Sequence, residues 1–404
     1  MNMLIPSFFL FAVYACVNVW MPLFLRNMHY SVTQVGLLLS VFEIFGVIVP
    51  FYTGNIPVKS GKYGLFLCMS GFVLALIPIA LFSIPLFGIT ALCLGIYAAS
   101  VKGAIPVSDS FINILLAGKS DLYGRIRAVG SLGFVCANIV MQRFVHVDTI
   151  NTLETVLWMS VPALIFSASI LFIPGLLKPA AACSSSQAAG AEKKTTQVST
   201  AAPVAESGGK TVGGVFGQFS AHYWLVLSLI FLTVFGQIPF GRFFSMYVKE
   251  YLYSDSTGIL WVIAALSEIP FMFFSSRFIR RWGSLRLILF AALITSVRNV
   301  LYVLFPSIWG AAAAQMCNSI TFGLFHPAAV IFAAENARHA EQSVLSQLLY
   351  SVGAIGTASV IGSALGGFVI ERFGYPVLYL SYAAFPLAGI LLFAVFNKKT
   401  QKKR

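Results

Sequence analysis

The feature that most limits how this chain can fold is the length of its apolar runs. They recur in stretches of roughly twenty residues, at about 4–25, 32–54, 64–84, 87–117, 124–142, 153–174, 220–248, 256–276, 285–305, 308–334, 343–370 and 376–396. Twenty residues at about 1.5 Å each cross the roughly 30 Å hydrocarbon layer of a bilayer as a helix. Lipid offers no partner to a bare backbone, so such runs cross as helices with their hydrogen bonds closed internally. The sequence therefore predicts an all-α integral membrane protein with twelve transmembrane helices. Of the 404 residues, 58% are hydrophobic and 10% charged, against about a quarter charged in soluble domains. Small residues within the runs, as in Gly362-Ser-Ala-Leu-Gly366, suit close helix contact. Little mass is left outside the bilayer for a soluble catalytic domain.

The net charge of +13 would fit a nucleic-acid partner if it were clustered on one soluble face. It is instead divided between alternate loops. Nineteen of the 26 Lys and Arg residues fall in one set of connecting segments, in the helix ends that border them (Arg125, Arg127 and Arg286) and in the tail "NKKTQKKR". The opposite loops hold Arg26, Arg143, Lys249 and Arg372, and Lys102, Arg242 and Arg298 lie within helices. This bias predicts both termini on the cytoplasmic side of a cytoplasmic (inner) membrane, with the lipid bilayer rather than nucleic acid as partner.

The first run lacks a basic start and continues to Leu25, so it reads as a helix rather than a cleaved signal. Cys16, Cys68, Cys93, Cys136 and Cys317 fall in the runs without paired spacing and read as small core residues. Residues 178–218 are rich in Ala, Ser, Thr and Gly and read as a flexible cytoplasmic linker. The linker separates two six-helix halves, 1–177 and 219–396, and a basic tail follows at 397–404. Its "GGKT" at 208–211 is no phosphate loop, because Val204 stands where the upstream glycine belongs. No ATP-binding, HExxH or GxSxG pattern occurs, so no cofactor, metal or enzymatic activity is expected. His29, His146, His222 and His339 sit in loops or at membrane edges, with no metal-site spacing.

Ionisable residues inside the apolar runs cost a few kcal/mol each at mid-membrane and so mark function by default. Asp109 lies roughly 12 Å from one end of the fourth helix, and Arg127 about 8 Å into the fifth. A short turn joins these helices, so the two can meet. Lys102 lies two turns before Asp109 on the same face, and Phe134 seven residues after Arg127 on its face. In the second half, Glu268 and Arg298 both reach mid-membrane and can pair, with His326 near enough to join them. Glu43, midway along the second helix, is a candidate proton site. Asn18 and Gln347 read as polar glue or cavity lining, and Arg242 as a side chain snorkelling to the headgroups. Such pairs either lock helices together or line a central polar cavity, and one pair per half favours the cavity.

The loops "GNIPVKSGKYG" (54–64) and "SRFIRRWGSLR" (276–286) follow corresponding helices of the two halves. With the six-plus-six plan they make the chain resemble the major facilitator superfamily. Val58 and Arg280 stand where that family usually has an aspartate. "GAIPVSDSFINILLAGKSDLYGRIRAVGSLGF" resembles the helix 4–5 region of the lactose permease, phenylpropionate permease and nucleoside symporter group. The resemblance implies that Asp109, Arg127 and Phe134 bind substrate. "SEIP" at Glu268, "SVR" at Arg298 and "FGLFHPAAV" at His326 resemble that group's coupling and binding positions. Ala329 replaces a proton-carrying carboxylate, and Lys102 is an addition that with Arg127 suits a carboxylate.

The expected function is secondary transport of a small polar or anionic metabolite by alternating access, with protons as the coupled ion. Lys102, Asp109, Arg127, Phe134, His326 and Asn18 are the expected substrate contacts, and Glu268, Arg298 and Glu43 the coupling groups. The alternatives are an uncoupled facilitator, a sugar or nucleoside symporter, and a membrane sensor that binds without transporting. A monomer is expected.

Overall fold

A computed structural model describes residues 3–116, 120–145, 151–172, 218–337 and 340–401, and no strand occurs among them. The linker expected at 178–218 lies, apart from Gln218, outside the described residues, as does the end of the basic tail. The apolar runs form α1 (Leu4–Asn27), α2 (Val32–Thr53), α3 (Tyr63–Ser83), α4 (Phe87–Leu116), α5 (Ser120–Phe144) and α6 (Thr152–Leu171). They continue as α7 (Ala221–Tyr251), α8 (Thr257–Trp282), α9 (Ser284–Leu304) and α10 (Ile308–Glu335). A last run bends at Gly374, where φ is 82°, giving α11 (340–373) and α12 (375–401). Ten helices among the described residues are long and apolar enough to cross a membrane, where the sequence reading expects twelve. The bent run from Gln342 to Asn397 counts once among the ten, and α5, which carries Arg125, Arg127 and Arg143, is not one of them.

The two corresponding loops share a device. Gly61 (φ 68°) precedes α3 and Gly283 (φ 80°) lies between α8 and α9. A side chain would be strained in this left-handed region, so glycine makes each tight reversal.

Contacts group the chain into two units. The first contains Met1–Val17, Phe45–Ala137 and Ile150–Pro203. Its core is built from Leu10, Leu67, Val107, Phe111, Phe166 and Ile170, with Tyr63 stacked on Phe111 at 5.5 Å. Lipid tails are as apolar as leucine, so helices associate through close packing and interhelical hydrogen bonds. Ser160 accordingly donates to the Ala75 carbonyl (2.7 Å) and Ser167 to that of Cys68 (2.9 Å), tying α6 to α3. α1 lies against Gly130 and Gly133 of α5. A Cβ on Gly133 would collide with the Phe8 carbonyl, so these glycines admit the close approach of α1.

The second unit contains Asn18–Ile44, Asn138–Thr149 and Val204–Arg404. Its α11 carries the small-residue run read from the sequence. A Cβ on Gly362 would meet Ile238 and one on Gly366 would meet Phe243, both on α7, while Gly367 abuts Gly36 of α2. Ser296 donates to the Ala383 carbonyl and Asn299 to that of Gly236, each at 2.7 Å. Large apolar side chains are exposed along the helices, for example Leu76 (61%), Phe273 (81%) and Leu391 (65%). A soluble protein avoids such a surface, and lipid covers it without cost.

Among the described residues, five stretches widen into π-helix: Cys16–Trp20, Pro239–Phe243, Tyr247–Tyr251, Ser319–Leu324 and Leu349–Gly356. Each inserts a residue into the helical ladder and re-aims the side chains around it, a feature often found at functional sites. Asn18, Arg242, Glu250, Thr321 and Tyr350 all lie within these stretches. Each makes one of the polar contacts described next.

Candidate functional site

In the second unit, Arg298 of α9 is 1% exposed. A guanidinium so desolvated must spend its donors on protein acceptors. Nη1 donates to Asn318 Oδ1 (3.0 Å) and to Thr321 Oγ1 (2.8 Å), and Nη2 donates to Gln315 Oε1. Nε reaches the Tyr302 hydroxyl at 3.4 Å, and the guanidinium carbon lies 3.8 Å from the centroid of the Phe240 ring. Asn318 Nδ2 in turn donates to Glu268 Oε2 at 2.8 Å. Glu268 and Arg298 thus belong to one hydrogen-bonded chain, with Asn318 standing between them where the sequence reading foresaw a pair. Gly323 brings α10 close to α8, since a Cβ there would lie 3.2 Å from the Glu268 carbonyl oxygen. His326 turns elsewhere. Its Nδ1 lies 3.0 Å from the Tyr350 hydroxyl on α11, and its ring lies 4.4 Å from that of Phe322.

A second cluster joins α1, α2 and α7. Glu43 is 3% exposed and forms an ion pair with Arg242. Arg242 also donates to Asn18 Oδ1 at 3.3 Å. The snorkelling expected of Arg242 is therefore corrected: the π-helical turn at Pro239–Phe243 aims it at a carboxylate instead of the headgroups. Around this cluster, Arg26 pairs with Glu250 (2.7 Å), and Glu250 accepts from the Tyr375 hydroxyl (2.6 Å). Trp20 donates to Asn138 (3.1 Å), and Gln142 accepts from the Gly258 N–H. The ends of α1, α2 and α5 are thereby tied to α7, α8 and α12.

In the first unit, the Arg127 guanidinium lies over the Phe11 ring, 4.0 Å from its centroid. Phe134 lies 6.3 Å from Tyr14 between ring centroids, so both α5 side chains face α1. Lys102 runs along Gly46 of α2, where a side chain would collide with its stem. Lys102, Asp109, Arg127 and Phe134 are all half-buried. Sequence reasoning named the ionisable residues but missed Asn318, Thr321 and Gln315, neutral polar residues that hold Arg298.

Buried, hydrogen-bonded charges thus lie within helices long and apolar enough to span a membrane, and the known proteins that the chain resembles are membrane transporters rather than enzymes. The model of the MFS_1 like family matches residues 1–381, and the chain belongs to that family, within the major facilitator superfamily. It is 27% identical to an uncharacterized transporter of Bacillus subtilis (strain 168), YwbF, over 94% of this chain and 88% of that one. It is also 27% identical to the maltose permease of Geobacillus stearothermophilus, over 75% of this chain and 70% of that one. A crystal structure of a mutant of the nucleoside transporter NupG superposes with a TM-score of 0.79 at 14% identity, covering 98% of each chain, which shows a shared fold.

Proposed function

We propose that this protein is a proton symporter that moves a small polar or anionic metabolite across the cytoplasmic membrane by alternating access, working as a monomer with both termini in the cytoplasm. The observation that carries the reading is the state of its intramembrane charges. Glu43–Arg242 and Glu268–Asn318–Arg298 are ion pairs and hydrogen-bonded chains within spanning helices. Such groups change partners when a carboxylate is protonated, and this links proton binding to a two-state rearrangement. Glu43 and Glu268 are the carboxylates placed to carry the proton.

Substrate is assigned to Asp109, Arg127, Phe134, Lys102, Asn18 and His326. The cations suit a carboxylate or hydroxyls, and the aromatic ring suits a planar group. The maltose permease relative and the nucleoside transporter fold support a second reading, a sugar or nucleoside as cargo. Uptake of labelled maltose, uridine and 3-phenylpropionate into proteoliposomes tests the site. At least one is expected to accumulate and to lose most of its uptake in Arg127→Ala. Undiminished uptake by that variant would overturn the assignment.

A further inference from the structure

We propose that Asn318 is the positioning residue of the Glu268–Arg298 couple, transmitting the charge state of Glu268 on α8 to the α9–α10 contact. The inference rests on the reading of Glu268 as a coupling group, but its test needs no substrate.

The chemistry of the position is specific. A side chain between a carboxylate and a guanidinium must offer a donor on one side and an acceptor on the other. Asn318 does both, with Nδ2 to Glu268 at 2.8 Å and Oδ1 from Arg298 at 3.0 Å. An aspartate here would set two carboxylates against each other, and an alanine would strip one partner from each charge. The depths also match, because Glu268 and Arg298 lie fifteen residues on either side of Gly283, the α8–α9 turn. Asn318 sits at the entry to the π-helical stretch Ser319–Leu324, and Thr321 of that stretch holds the same Arg298 nitrogen.

An ionised Glu268 pulls on the amide N–H and makes its oxygen a better acceptor for Arg298, since linked hydrogen bonds polarise one another. A protonated Glu268 exerts less pull, and the amide keeps its longer contact to the Ala264 carbonyl of α8 at 3.5 Å. Arg298 then keeps Thr321, Gln315, Tyr302 and Phe240, and its tie to α8 through Asn318 weakens. The charged and titratable groups around Asn318 include Glu268 from α8, Arg298 and Tyr302 from α9, and its neighbour Cys317. His326 is engaged by Tyr350.

The test is a double-mutant cycle in thermal stability on the purified full-length protein at two pH values. The contact is a hydrogen bond that Glu268 accepts, and a carboxylate accepts it more strongly than a neutral acid. The Tm gap between the parent and Asn318→Ala is expected to be larger at pH 8 than at pH 4.5 by a few degrees. That pH dependence is expected to vanish in a Glu268→Gln background. A gap equal at both pH values and in both backgrounds would overturn the proposal, because packing alone behaves that way. Asn318→Asp, of the same size, covers the case in which the alanine variant does not fold. It is expected to lose most stability at pH 8 and to recover when combined with Glu268→Gln. No recovery would also count against the relay. A pH-dependent cycle alongside proton-coupled uptake that survives Glu268→Gln would keep the relay and remove Glu268 from coupling.

Discussion

Glu43 is 3% exposed and paired with Arg242, so truncating either side chain strips a desolvated charge of a partner. Breaking a buried pair from one side costs about 3 kcal/mol or more, whereas removing both charges together costs much less. Glu43→Gln and Arg242→Gln are each expected to lower the Tm, and the double variant to lose clearly less than the two losses combined. Additive losses, measured by thermal unfolding in detergent, would mean that the two residues act independently. Residues such as Arg242 mark the limit of reading single side chains from sequence. An arginine near a helix end looks like one that reaches for headgroups, and its carboxylate lies far away in the chain. Asn318 was hidden for another reason: a neutral amide in an apolar helix costs less to bury than a charge and so stands out less, and its role comes from the two charges it separates.

At the scale of the element, helices were legible because span length and apolar composition leave lipid-embedded backbone no other choice. The turns at Gly61 and Gly283 were legible as matching loops, and the structure gives both a left-handed glycine. The π-helical stretches were not, since one inserted residue barely disturbs a run that is apolar on all sides. They decide which way Asn18, Arg242 and Thr321 point, so helix depth could be read from sequence but side-chain direction could not. Packing gives a prediction here. A Cβ at Gly133 would collide with the Phe8 carbonyl, while one at Gly88 meets nothing within 4 Å. Gly133→Ala is therefore expected to lower stability by about 1 kcal/mol or more, the usual cost of overpacking. Gly88→Ala should be neutral or slightly stabilising, because alanine favours helix. Equal Tm values for both variants would contradict the close α1–α5 approach.

At the scale of the whole molecule, the fold class and the family rest on features spread along nearly the entire chain, and the comparisons reach the same family. Cargo is less legible, because the shape of a pocket depends on side chains from many helices, and no short motif encodes it. The proposed topology, drawn from the charge bias, has both termini in the cytoplasm. A protease-sensitive tag on the C-terminus is thus expected to be cut in inside-out vesicles and spared in right-side-out ones, and the reverse pattern would invert the topology. The central claim is that the intramembrane carboxylates couple cargo to protons. The measurement that tests it most directly is lumenal pH in proteoliposomes while a transported probe enters. Proton entry is expected to accompany uptake and to be lost in Glu268→Gln or Glu43→Gln. Uptake with no change in lumenal pH would contradict symport and leave a facilitator.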